Sequence, residues 1–217
     1  MSTIEPNFSF WDCGEYISSA VKLEVTHAPG AALFQLVGAV VALFAFGDGQ
    51  NYSLVINAMS AICSAFTILF LFWTITHLVR RLLNKEFENI TVAEEVAALF
   101  SGAVGALCFT FSDSFWFSAV EGEVYAMASM FIALIVWLIT KWENEYLEKD
   151  NERWIILLFF IIGLSVGVHM MCMLALPAVC LIYYTRNYTF TWKSFLIANA
   201  VTLLILIIVF KIIFPVI

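Results

Sequence analysis

The chain has 217 residues, 63% of them hydrophobic and only 12% charged, with a mean hydropathy of +0.95. A soluble domain carries roughly 25% charged residues, so a soluble globular class is excluded. The apolar runs are continuous rather than alternating, which excludes a membrane β-barrel and leaves an all-α polytopic helix bundle in the membrane.

The opening residues 1–10 have neither a basic start nor an apolar core, so no cleavable signal is expected. Next comes "FWDCGEYISSAVKLEVTHAPG", the most polar long stretch before Arg80. Asp12 and Glu15 have the spacing of a capping box for a helix over 16–25. The same carboxylates, held near lipid with a raised pKa, also suit general-base chemistry. Residues 28–46 then form an apolar segment with Gln35 as its one strongly polar member, ending in Gly47-Asp48-Gly49-Gln50. Its length permits a crossing, and its flanks equally permit an interfacial position. Charge does not choose between them, because residues 47–53 contain no Lys or Arg.

From residue 54 onward the spans are expected at 54–79, 92–111, 124–142, a short pair at 154–168 and 170–184, and 195–217. Counting both members of the pair gives about six crossings, so the chain divides into an acidic N-terminal part, 1–53, and a bundle, 54–217. Thr91-Val92-Ala93-Glu94 reads as a capping box for the second span, and Pro177 as a tolerated kink. Eight of the ten basic residues fall in three connections: Arg80, Arg81 and Lys85; Lys141, Lys149 and Arg153; Arg186 and Lys193. Six crossings put all three on one face, which the positive-inside rule makes cytoplasmic. Residues 112–123 and the neighbourhood of His169 then face the other side.

That other face carries further candidates. Ser118 and Glu121 have capping-box spacing, which accounts for Glu121 but not for Glu123. A second carboxylate at the mouth of a span is costly unless solvated, paired or functional. His169 stands alone at the junction of the short pair, where a hydrogen-bonded structural role competes with a functional one. Trp11, Trp116, Tyr16 and Tyr125 read as an interfacial aromatic belt, and His77 as a residue of the opposite interface. The five cysteines show no CxxC pairing and read as buried, inert thiols. No nucleotide-sugar or P-loop motif appears, and nothing points to nucleic acid.

In this order, "FWDCGEYISSAVKLEVTHAPGAALF", "INAMSAICSAFTILFLFWTITHLVRRL", "GAVGALCFTFSDSFWFSAVEGEVYAM" and "GLSVGVHMMCMLALPA" closely resemble a family of bacterial membrane proteins common in Bacteroidetes, long known as a domain of unknown function. Its vertebrate relative is a protein O-mannosyltransferase of the GT-C superfamily. The resemblance covers nearly the whole chain. It implies transfer of a hexose, with mannose the expected one, from a polyprenyl-phosphate donor to Ser or Thr hydroxyls of an acceptor protein. Asp12 matches the catalytic acidic position, with Glu15 beside it. His27-Ala28-Pro29-Gly30 matches an HPPG-like turn, with Ala in place of the first Pro. It also implies that 28–46 lies along the outer surface and that Glu123 belongs to a second acidic motif. Glu121, Tyr125, His27 and His169 are the expected substrate contacts. The implied location is a bacterial inner membrane with a periplasmic active face, and the resemblance leaves divalent-metal dependence open. Relatives carry a helix before the acidic motif and continue past residue 217, so the chain reads as the N-terminal half of such a protein without its first helix. A transporter and a non-catalytic assembly subunit are the competing classes. A transporter calls for ionisable groups within the spans, where only Lys211 lies deep. Convergence of Asp12 and Glu123 on one side discriminates enzyme from transporter.

Overall fold

The computed structural model describes residues 3–28, 30–83, 89–146 and 151–213, and no β-strand occurs among them. The α-helices are α1 (Cys13–Lys22), α2 (Ala32–Ala42), α3 (Tyr52–Leu82), α4 (Val92–Thr110), α5 (Asp113–Val120), α6 (Val124–Asn144), α7 (Glu152–Val166), α8 (Leu176–Asn187) and α9 (Trp192–Ile208). Short 3₁₀ turns, Leu43–Ala45 and Met170–Ala175, follow α2 and precede α8. Among the described residues four helices are long and apolar enough to cross a membrane: α3, α4, α6 and α9 with its continuation to Lys211. The chain is an all-α polytopic membrane bundle.

At 1.5 Å per residue, the 31 residues of α3 reach about 46 Å, well beyond a hydrocarbon core of about 30 Å. This helix is the spine, with α4 and α6 packed along it. Small residues allow the close approach of α4. A Cβ on Gly102 would strike the Thr76 hydroxyl and come within 3.0 Å of the Phe72 carbonyl. Thr91 forms the expected capping box with Glu94, fixing where α4 begins.

Side-chain pairs define the two ends of the bundle. At one end Arg80 pairs with Glu95 and Arg81 with the buried Glu143, while Arg186 Nη1 lies 3.9 Å from Glu143. Glu145 accepts from Arg153 at 3.0 Å and from the Trp154 indole at 2.5 Å. The Tyr184 hydroxyl meets Ser194 at 2.7 Å, which brings the start of α9 to this basic end. The described members of the three basic connections therefore gather here; Lys85 and Lys149 lie outside the described residues. At the opposite end Leu33 N–H donates to the Gly167 carbonyl at 2.7 Å, and the Tyr125 and His169 rings lie 5.5 Å apart. So α7 leaves the basic end, turns at His169, and α8 returns. Each member of this pair is short, 15 and 12 residues.

Several expectations need correction. The first helix spans Cys13–Lys22 rather than 16–25; Asp12 is its N-cap residue, as the spacing requires, but makes no side-chain cap bond. Glu15 is drawn away to His27, which removes the reciprocal bond. Tyr16 is no belt residue: it is buried between His27 and Phe34. Cys108 is exposed on α4 rather than buried. Residues 28–46 yield an eleven-residue α2, about 16 Å long, whose two flanks both stay at the acidic end. The connection over 112–123, for which no helix was expected, contains α5.

The α3–α4 seam makes a direct prediction. Gly102→Ala should lower stability by about 1–3 kcal/mol through overpacking. Gly163→Ala on α7, where a Cβ meets nothing within 4 Å, should be neutral or stabilising. Thermal unfolding of both variants in detergent checks the pair.

Candidate functional site

The acidic end is assembled around Asn57, a fully buried amide in the second turn of α3. Its Nδ2 donates to the Glu5 carbonyl at 2.6 Å and the Asn7 carbonyl at 2.9 Å, tying the N-terminal segment to the spine. Glu5 N–H in turn donates to the Val120 carbonyl at 3.3 Å, so the same segment joins the end of α5. Gly122 lets this junction close. A Cβ there would lie 2.9 Å from Asn57 Oδ1 and 3.0 Å from Ile17 and Ile56.

This clamp brings the two acidic stretches together. The Ser9 hydroxyl donates to Glu121, which is 2% exposed and sits at the C-cap of α5. Ser118 donates to the Ser114 carbonyl instead, so the expected Ser118–Glu121 capping box does not exist. Burial raises the Glu121 carboxyl above its ordinary value, and the Ser9 bond opposes that. Glu123 is the N-cap of α6, is 8% exposed, and makes no side-chain cap bond. Burial, then the charges of Glu121 and Asp12, push its carboxyl up to about 7, although the Asp12 and Cys13 amides oppose the shift. Glu121 and Glu123 each keep an Oε1 without a hydrogen-bond partner.

Glu15 and His27 close the other side. His27 N–H donates to Glu15 Oε1 at 2.7 Å, and its Nδ1 lies 3.0 Å from Oε2. Those two bonds hold the Glu15 carboxyl below its ordinary value, and the bond to Glu15 holds His27 above its own. His27 Nε2 faces Asp12 Oδ2 at 3.9 Å. One ligand atom from each of Asp12, Glu15 and His27 lies within 4.8 Å of the others, so these three are the residues that could hold a cation. The bonds between Glu15 and His27 account for their closeness without one. Pro29, in the matched turn, lies outside the described residues. Tyr16 packs beneath, its hydroxyl pushed up to about 12 by burial and by the nearby Asp12 charge.

On the far side of Asp12 a cleft of about 600 Å³ opens between α5 and the Trp11–Asp12 turn, with Glu121, Glu123 and Tyr125 in its wall. His169 stands beside Tyr125 and accepts from Met171 N–H at 3.1 Å, so it caps the turn before α8 and borders the site. All seven predicted site residues therefore lie at one end, and Asp12 and Glu123 converge.

Residues 12–192 match the model for the protein O-mannosyl-transferase TMEM260 N-terminal domain. The chain belongs to this family. Protein O-mannosyl-transferase tmem260 of Dictyostelium discoideum is 27% identical over 149 residues, 69% of this chain and 16% of that protein. Protein O-mannosyl-transferase TMEM260 of Mus musculus is 26% identical over 155 residues, 71% of this chain and 19% of that protein. The chain thus matches less than a fifth of the length of either relative. No solved structure matches it.

Asn57 and Gly122, inside the matched TMEM260-type region, and Ser9, just before it, help to build this end and were missed by sequence reasoning. Asn57 had a readable signal: it is a side-chain amide inside an otherwise apolar run, where a polar group must find partners.

The Glu15–His27 pair predicts a titration. Because His27 is raised and Glu15 lowered, the pair is intact between their two pKa values. It is lost as pH rises through that of His27 or falls through that of Glu15. In NMR the His27 ring should titrate above 6.5, and Glu15→Gln should bring it back towards that value. An unchanged midpoint in Glu15→Gln would dissolve the pair.

Proposed function

We propose that this end of the bundle transfers a hexose, mannose by analogy with the relatives' names, from a polyprenyl-phosphate donor to protein Ser or Thr hydroxyls. The observation that carries the reading is the convergence of Asp12 with Glu15, His27 and Glu123, from two distant stretches of a membrane bundle. A lipid-linked donor suits this location, since its tail stays in hydrocarbon while its phosphosugar meets polar residues. The proposed topology sets the basic end in the cytoplasm by the positive-inside rule. It lays α1 and α2 along the opposite surface, the periplasmic one if the membrane is a bacterial inner membrane. Residues 1–53 then form a surface layer over a bundle of about six crossings.

In the proposed reaction a hydroxyl with a pKa far above 7 attacks the anomeric carbon, the bond from that carbon to the phosphate oxygen breaks, and the phosphate leaves with the electron pair. Asp12 takes the hydroxyl proton. It is an exposed side chain that reaches both the cleft and His27, so it stands between the two reactants. Glu15 fixes the His27 ring, and His27 offers its other nitrogen to the donor phosphate. Glu121 and Glu123 accept hydrogen bonds from hydroxyl groups, with Tyr125 and His169 bordering them. The transport reading finds less support: the buried charge within a described span, Glu143, is taken up by Arg81 and Arg186.

The test is transfer from radiolabelled polyprenyl-phosphate hexose to membrane protein, with the chain in its full-length context. Asp12→Asn should reduce transfer by at least about 100-fold, the scale of general-base catalysis, without loss of thermal stability. Glu123→Gln should impair transfer more than Glu121→Gln, because Glu123 lies closer to Asp12's amide and charge. Transfer by Asp12→Asn at the wild-type rate would overturn the assignment.

A further inference from the structure

The cleft beside Asp12 has an unusual charge. Asp12, Asp113, Glu121 and Glu123 all line it, and no Lys or Arg among the described residues does. Two of the four are more than nine-tenths buried, and each leaves an oxygen with no donor. A buried acceptor without a donor costs free energy that an incoming donor recovers. A phosphodiester supplies no such donor and meets a wall of acidic side chains. The opposite side of Asp12 differs, because His27 Nε2 lies there at 3.9 Å and can carry positive charge. Asp12 therefore separates this cleft from the side that holds His27.

A neutral sugar would fill acceptors, but it has no need of four carboxylates around it. A polypeptide carrying a cation does. The cleft's volume of about 600 Å³ falls among ligand-sized pockets, and its wall includes the largely exposed Trp11 ring and the half-exposed Tyr125. Such rings attract an ammonium or guanidinium group.

We propose that this cleft is the acceptor subsite and that it selects polypeptide segments with a Lys or Arg beside the target hydroxyl, rejecting acidic ones. The assignment as an acceptor subsite rests on the transfer reading above; the charge selection does not. Asp113 is the specificity-determining residue most open to test, since it is exposed, lies in the first turn of α5 and touches neither His27 nor Glu15.

The experiment is fluorescence anisotropy of labelled Thr-containing hexapeptides with purified protein in neutral detergent. One peptide carries two Lys, one two Glu, and one neither. The Lys peptide should bind at least about tenfold more tightly than the Glu peptide at low salt, and the gap should narrow at 0.5 M salt. D113N should shrink the gap and D113K abolish it, with unchanged thermal stability in both. Equal affinities for the Lys and Glu peptides, no binding of any peptide, or a gap untouched by D113K would overturn the proposal. So would complete displacement of the Lys peptide by free hexose, which would make the cleft a sugar site. Charge-selective binding without sugar transfer would remove the transfer reading alone, and transfer without charge selection would remove this one alone.

Discussion

One buried amide holds the acidic end together. Asn57 stands in an apolar helix where its hydrogen-bonding groups have no water, so only protein can meet them. The Nδ2 donor is met by the carbonyls of Glu5 and Asn7, which ties the N-terminal segment to α3, while Oδ1 is buried without a partner beside Gly122. Everything chemical follows from that tether. It sets Ser9 on Glu121, aims the start of α1 at Glu123, and leaves Asp12 at the border between the cleft and His27. The absence of a side chain at Gly122 is the steric counterpart, since the two acidic stretches could not close over one another with a Cβ there.

The electrostatics of the two ends differ in kind. At the basic end Glu95, Glu143 and Glu145 each pair with an arginine, and Glu145 is held below its ordinary value by Trp154 and Arg153. At the acidic end burial dominates and two carboxyls are raised. Satisfied ion pairs fasten helix ends, as Glu143 fastens α3, α6 and α8. Unsatisfied, perturbed carboxyls in a cleft are the arrangement expected of a functional site. The region matched by the TMEM260 N-terminal domain runs from Asp12 to the start of α9 and so includes both ends.

The spans were legible because hydropathy alone specifies them, and α3, α4 and α6 begin within two residues of their expected starts. The Thr91 box was legible because it is local. The Asp12–Glu15 and Ser118–Glu121 boxes had the same local pattern and failed. In each the carboxylate found a tertiary partner, His27 for Glu15 and Ser9 for Glu121, that spacing along the chain does not reveal. The placement of residues 28–46 was undecidable from charge for a related reason: what fixes α2 is a backbone bond to Gly167, more than 100 residues away. The resemblance to a known family pointed to Asp12 and to a surface position for that segment, which residue patterns by themselves left open.

The central claim is that the N-terminal acidic stretch and the α5–α6 connection share the non-cytoplasmic face. Single cysteines at Phe10 and Ser114, and at Arg153 for the opposite end, test it in a background without the exposed Cys108. A membrane-impermeant maleimide added to sealed, right-side-out membranes should label the first two positions and reach the third only after permeabilisation. Labelling of Ser114 but not Phe10 under those conditions would place the two acidic stretches on opposite sides and contradict the account.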